Sequence, residues 1–356
     1  MGRIEIRGLR HRYDDGRTSL DGIDLAVAEG EFLALIGPSG SGKTTLLRTV
    51  AGFLRPENGS IAIDGSEVAS SVTWVPAERR GLGMVFQDHA VWPHLSVGDN
   101  VGYPLKIQGL PRRERRTRTA EVLELVGLEG CADRSPATLS GGQRQRVSLA
   151  RAVAAQPEAL LLDEALSSLD EPLRARLRVE LKALTRTRGL TTVHVTHDRA
   201  EALALADRVA VLRDGRIEQV GTPRELLDAP ATPFVAGFLT DATLLDGVLE
   251  PGPGGPAFRP DNTAPAVAPA RVLASPGAPE TGRAVAAVLA QDVRVRPAPD
   301  GHQGGAGTVT SALFGPHGHD LQIRWHGTDL RAHVAGWVPQ IGDPVEVELD
   351  RVRVYG

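Results

Sequence analysis

Cysteine is almost missing from this chain: of 356 residues only Cys131 carries a thiol. One thiol closes no intrachain disulfide and builds no thiolate cage for a structural zinc, so the usage reads as that of a cytosolic protein. Long apolar runs are missing as well. The longest, such as Ala284 to Ala290, fall far short of the roughly 18 residues that a membrane helix needs. The opening Met-Gly-Arg-Ile-Glu-Ile has no apolar segment of the kind a secretion signal carries. Lysine occurs only at Lys43, Lys106 and Lys182 amid abundant arginine, which reads as a coding bias and carries no functional information. Neither sign of charge dominates, and a formal net charge of -4 points to no polyanionic partner. What remains is ordinary: 41% hydrophobic and 24% charged residues exclude whole-chain disorder and collagen-like repeats. The length fits about two domains.

Short aliphatic runs alternate with helical patterns through residues 1–240, as in Phe32 to Ile36, Gly83 to Phe86, Ala159 to Leu162, Thr192 to Thr196 and Val209 to Leu212. That alternation predicts a parallel sheet flanked by helices. Between Pro93 and Pro157 helical patterns such as Arg112 to Val126 and Gln143 to Ala155 take over, so a helical insertion over about 93–157 is expected in the α/β core. Proline, glycine and alanine dominate from Pro251 to Pro279, and a linker is expected over 241–282 because such a composition buries too little apolar surface to offset its ordering entropy. Short alternating segments punctuated by glycine and proline follow, predicting a small all-β, OB-like barrel over 283–356.

The most specific chemistry lies between the run Glu31 to Ile36 and the helical pattern Thr45 to Ala51. There Gly37, Pro38, Ser39, Gly40, Ser41, Gly42, Lys43 and Thr44 match G-x-x-x-x-G-K-[ST]. Glycines let successive backbone N–H groups converge on phosphates, a helix N-terminus adds partial positive charge, Lys43 reaches the terminal phosphates and Thr44 can ligate Mg²⁺. A second glycine-rich element, Leu139-Ser140-Gly141-Gly142-Gln143, precedes a helical pattern. By spacing alone Ser140 and Gln143 also make a capping box. The aliphatic run Ala159 to Leu162 then ends in Asp163 and Glu164. Adjacent strand residues point to opposite faces, which suits Asp163 to the Mg²⁺ shell and Glu164 to a water in line with the γ-phosphate.

Together these motifs resemble those of the ATP-binding-cassette ATPases over about residues 3–238, an α/β fold with a P-loop, a RecA-like core and a helical insertion. The resemblance implies ATP and Mg²⁺ as ligands. It matches Tyr13 to the aromatic that stacks on adenine and Thr45 to the nucleotide contacts. Gln87 matches the glutamine that senses Mg²⁺ and the membrane partner, and His197 the histidine that contacts the γ-phosphate. Ser168, Leu169 and Asp170 match the loop that crosses a dimer interface. Two cassettes of this family pair head to tail, so Ser140, Gly141, Gly142 and Gln143 of one chain close over ATP held by the other. Two departures are visible: Ala165 stands where proline is usual, and Ser168 where alanine is common.

The C-terminal part is similar to the accessory barrel of sugar, polyamine, sulfate and ferric-ion importers. Leu289-Ala290-Gln291 stands where that domain has Arg-Pro-Glu. The implied role is the ATP-hydrolysing subunit of an importer, peripheral on the cytoplasmic face of the membrane. Its permease subunits would dock near Gln87 to Val97, and a substrate-binding protein would take part indirectly. The segment Pro76 to Gln87 with Val91 to Val97 leans toward ferric ion, polyamines or quaternary amines. Sugar, sulfate and thiamine importers are alternatives, as is a non-transport cassette ATPase. The arginine run Arg112 to Arg118 lacks interleaved aromatics and reads as a solvated helix face, so no nucleic-acid partner is expected.

Overall fold

The computed structural model describes residues 3–252, 255–261, 271–275, 277–298 and 306–356, apart from His89 and Ser168. The chain divides into two units, Met1–Pro223 and Arg224–Gly356.

In the first unit β1 (Ile4–Arg12) and β2 (Thr18–Val27) precede β3 (Phe32–Ile36), which leads through the glycine loop into α1 (Lys43–Ala51). Strands β4 (Asn58–Ile63), β5 (Ser66–Ala69) and β6 (Leu82–Val85) follow. Helices α2 (Val97–Ile107), α3 (Arg112–Leu125) and α4 (Gly141–Ala154) then run with no named strand between them. The core resumes with β7 (Ala159–Asp163), α5 (Glu171–Arg188), β8 (Thr191–Val195), α6 (Arg199–Leu205), β9 (Arg208–Arg213) and β10 (Arg216–Gly221).

Six strands form one sheet in the order β10-β9-β3-β8-β7-β6. All neighbours in it are parallel except β10 against β9. Parallel strands need crossovers that cover both faces, so their residues are apolar throughout. Accordingly β3, β7 and β8 are buried along their whole length, which is why they are legible as unbroken aliphatic runs. The polar exceptions are bonded: Thr191 accepts from the Gly30 amide at 3.0 Å, and His194 bonds Glu201 through Nε2. A second sheet, β2-β1-β4-β5, is antiparallel. Because β6, β7, β8 and β3 run the same way, the residues that follow each of them emerge at one edge of the sheet, where ligands of open α/β sheets bind.

Arg80 closes the far end of α1. Its guanidinium donates to the carbonyls of Thr49, Val50 and Val75 at 2.8–2.9 Å and lies over the Trp74 ring. Burial pulls its pKa down to about 10. Carbonyls that a helix terminus leaves without partners thereby gain charged donors. Behind β6, Asn100 staples the segment that leads into α2: its side chain accepts from the Trp92 amide at 2.9 Å and donates to the carbonyls of Trp92 and Ser96 at 3.0 and 2.9 Å.

The second unit opens with the end of α7 (Pro223–Asp228) and α8 (Pro233–Thr240). Among the described residues ten strands follow: β11 (Thr243–Gly252), β12 (Gly255–Pro260), β13 (Arg271–Ala274), β14 (Gly282–Val288), β15 (Val293–Pro297), β16 (Ala306–Gly315), β17 (Gly318–Trp325), β18 (Thr328–Val334), β19 (Pro344–Leu349) and β20 (Arg351–Tyr355). They make two five-stranded sheets, β12-β11-β14-β20-β13 and β15-β19-β16-β17-β18. One core joins the two, with Leu249, Phe258 and Val352 of the first meeting Val293, Ile323 and Trp325 of the second.

Much of the stretch expected to be a linker, 241–282, is strand. Residues 243–252, 255–260 and 271–274 are strands of the β domain, which begins about 40 residues before the expected position 283. Pro256 and Pro260 lie on β12, an edge strand, where a missing N–H costs no ladder bond. Residues 262–270 of that stretch lie outside the described residues.

Candidate nucleotide site

The glycine loop curls tightly against its neighbours. Gly42 has φ +103°, and a Cβ there would stand 2.5 Å from the Ser19 carbonyl oxygen. A Cβ on Gly37 would stand 2.1 Å from that of Leu212. Only glycine fits either position without moving backbone. Pro38, Ser39 and Gly40 form the exposed crest, while Ser41, Gly42 and Lys43 are buried. The Lys43 ammonium donates to the carbonyls of Gly37 and Pro38, both at 2.9 Å. Burial lowers its pKa, opposed by the nearby charges of Glu164 and Asp163.

Asp163 ends β7 within reach of α1. Its Oδ1 accepts from the Thr44 hydroxyl at 3.3 Å, and Arg48 stands 3.9 Å from Oδ2. Desolvation raises its pKa, against Arg48 and the Thr44 hydrogen bond. Glu164 then leaves the strand in the left-handed region, φ +49°, a conformation costly for a residue with a Cβ. Two contacts fix that kink: its amide donates to the Val195 carbonyl at 2.9 Å, and its carbonyl accepts from the Ser167 hydroxyl at 2.8 Å. The carboxylate is thereby presented to two other sequence-picked residues. Gln87 donates to Oε2 at 2.9 Å, and His197 Nδ1 stands 3.4 Å from the same oxygen.

Lys43, Thr44, Asp163, Glu164, Gln87 and His197 thus converge from four strand ends. Tyr13 and Thr45 join each other beside them, hydroxyl to hydroxyl at 2.8 Å, with Arg17 over the Tyr13 ring and His11 at its edge. The remaining candidates have local partners of their own. Ser140 and Gln143 form the reciprocal capping box at the start of α4, and a Cβ on Gly142 would strike Leu173 of α5. A Cβ on Gly141 would meet nothing within 4 Å. Asp170 caps α5, accepting from the Leu173 amide at 2.9 Å. Leu169 is buried, and Ser168 lies outside the described residues. Ala165, at the position usually held by proline, is buried directly after the kink.

Several participants carry no motif in the sequence. Arg48 reaches Asp163 because α1 returns it to the strand end one turn after Thr44. Ser167 and Arg174 brace the turn that follows Glu164. Periodicity alone places Arg174 on a helix and gives no sign that it faces backward toward the turn. Among the described residues no group of three or more His, Cys, Asp or Glu could hold a metal. A Mg²⁺ ion that takes most of its ligands from phosphates and water needs only one or two protein groups, and the Thr44–Asp163 pair fits that requirement.

A family profile described as ABC transporter matches residues 20–167. The spermidine/putrescine import ATP-binding protein PotA of Marinobacter nauticus is 46% identical over 313 residues, 87% of this chain and 81% of that protein. PotA of Oleidesulfovibrio alaskensis is 48% identical over 246 residues, 69% of this chain; the chain spans 65% of that relative. The sulfate/thiosulfate import ATP-binding protein CysA of Mycobacterium tuberculosis is 50% identical over 246 residues, 69% of each protein. Among solved structures, the dimeric ATP-binding cassette bound to ADP and Pi superposes with TM-score 0.56 and 32% identity. That match covers 62% of this chain and 99% of the cassette.

Proposed function

This chain belongs to the ABC transporter family, and we propose that it is the ATP-binding and ATP-hydrolysing subunit of an importer that takes up a polyamine. The observation that carries the catalytic part is the convergence on one carboxylate. Glu164 Oε2 is held by Gln87 at 2.9 Å and approached by His197 at 3.4 Å, beside the loop of Lys43.

In this reading the backbone N–H groups of residues 37–44, the start of α1 and Lys43 bind the phosphates of ATP. Thr44, Asp163 and Gln87 would hold a Mg²⁺ ion, whose charge would neutralise that of the β- and γ-phosphates. Its charge would also stabilise the ionised Asp163 that burial disfavours. Glu164 orients water and accepts its proton as the water oxygen bonds to the γ-phosphorus and the bond to the β–γ bridging oxygen breaks, giving ADP and phosphate. His197 contacts the γ-phosphate, and Tyr13 with Thr45 flanks the base and sugar side.

Ser140, Gly141, Gly142, Gln143 and Asp170 act on ATP held by the other cassette of a head-to-tail pair. A related cassette has been solved as a dimer, which supports pairing of two cassettes. Among the described residues no helix is long and apolar enough to cross a membrane. In this reading solute passes through permease subunits, with the segment from Gln87 to Val97 as their docking region on the cytoplasmic face.

Identity does not separate polyamine from sulfate, at 46–48% against 50%. The polyamine reading leans on the Marinobacter PotA match, which at 313 residues is longer than the 246 residues matched in CysA. The test is uptake in a strain lacking this chain. Loss of labelled spermidine uptake with sulfate uptake retained is expected; loss of sulfate uptake alone overturns the polyamine assignment and leaves the ATPase assignment standing.

A further inference from the structure

We propose that Arg174 is a positioning residue for hydrolysis: its guanidinium ties the turn that carries Glu164 to the residue beside His197, so that the two groups are held as one unit. The inference rests on the roles given to Glu164 and His197 above.

Arg174 lies one turn into α5, with its side chain 21% exposed. Its Nε donates to the Leu166 carbonyl at 3.2 Å, and Nη2 donates to those of Leu169 at 2.7 Å and Ser167 at 3.4 Å. Nη1 faces the other way, 2.9 Å from Glu171 Oε2 and 3.9 Å from Asp198 Oδ2. Asp198 directly follows His197 and caps α6, accepting from the Glu201 amide at 3.0 Å. Arg178 holds the same Asp198 oxygen at 2.9 Å.

The contacts close a ring. From the Glu164 carboxylate it passes to His197, along the backbone to Asp198, across to Arg174, and through the carbonyls of Leu166, Ser167 and Leu169 back to Glu164. The kinked residue in that ring is Glu164 itself, at φ +49°. A left-handed residue with a Cβ persists only where its surroundings over-determine it. The planar fork of Arg174 suits this role, since three carbonyls and the carboxylates of Glu171 and Asp198 lie in different directions around it. A lysine ammonium has one nitrogen and cannot span them.

The same turn leads into Asp170, which the proposed assembly places at the partner cassette. A shift of the turn on dimer closure would therefore reach Asp198 and His197 through one side chain.

The test compares ATP affinity with turnover in the full chain. Arg174→Lys keeps the charge and removes the fork. Asp198→Asn keeps a capping side chain for α6 and removes the carboxylate, so it carries the test if Arg174→Lys fails to fold. For both, kcat is expected to fall about tenfold or more with KM for ATP within about twofold, since a displacement near 1 Å suffices for such losses. In an Asp198→Asn background, Arg174→Lys should cost less than it does in the parent, because the two changes share the Arg174–Asp198 link. Parental kcat in both variants overturns the proposal, as does a loss that appears equally in KM. If the parent hydrolyses no ATP at all, the reading of the site fails instead, and the two failures are distinguishable.

Discussion

Burial raises the pKa of Asp163, chiefly through lost hydration, and the Arg48 charge and the Thr44 hydrogen bond only partly offset this. The sign of its effect on stability follows. A group whose folded-state pKa exceeds its unfolded value contributes most below the unfolded pKa, and that contribution is lost as pH rises through the folded value. Near neutrality the ionised Asp163 therefore destabilises the protein without nucleotide. Asp163→Asn, which still offers an oxygen to Thr44, is expected to raise the melting temperature near pH 7. The gain should vanish once the pH drops below the ordinary carboxylate range. An equal gain at all pH values would mean that ionisation is not the cause. At this scale the sequence was most informative where residue identity is chemically obligatory. Lys43, Thr44, Asp163 and Glu164 were legible because few other residues do their work. Arg48, Ser167 and Arg174 were not, because their roles depend on which carbonyl or carboxylate the fold brings opposite them.

Helix starts offer a second set of expectations. The spacing of Ser140 and Gln143 allowed a cap as well as a ligand loop, and the fold uses it as a cap. Ser140→Ala should cost about 1 kcal/mol of unfolding free energy, as should Asp170→Ala at the start of α5, the usual penalty for losing an N-cap. Denaturant unfolding measures both. Arg80→Met removes three strong bonds to the end of α1 and to Val75. It should cost about 2–3 kcal/mol by leaving buried carbonyls without donors, and a loss under about 0.5 kcal/mol would show that water replaces them. Elements differed in how well they could be read. The parallel strands are buried on both sides and stand out as aliphatic runs. Strand β1 hides its antiparallel pairing because its register shifts between Ile6 and Leu9, where Gly8 takes a positive φ, so alternation breaks at the bulge. Strand β12 hides because its prolines are tolerated at a sheet edge and read, one residue at a time, as a linker.

At the scale of the whole molecule, the position of α8 decides where the chain can be cut. Ala236 of α8 packs with Ala287 and Tyr355 in the β domain, so a chain ending at Asp241 would expose an apolar helix face. One ending at Pro223 follows the boundary between the units. The shorter chain is expected to unfold cooperatively and to bind ATP. The longer is expected to aggregate or melt lower, and the reverse order would place α8 with the first unit. The head-to-tail arrangement makes its own demand. ATP should dimerise the Glu164→Gln chain in light scattering, and Ser140→Arg should weaken that dimer.

All of this turns on Glu164. The most direct measurement is ATP affinity and phosphate release for Glu164→Gln beside the parent chain. The amide keeps the shape and the contact with Gln87 but cannot accept a proton from water. Unchanged affinity with turnover lowered by about a hundredfold or more is the predicted result, within the range that removing a positioned general base produces. Phosphate release at the parental rate would contradict the account.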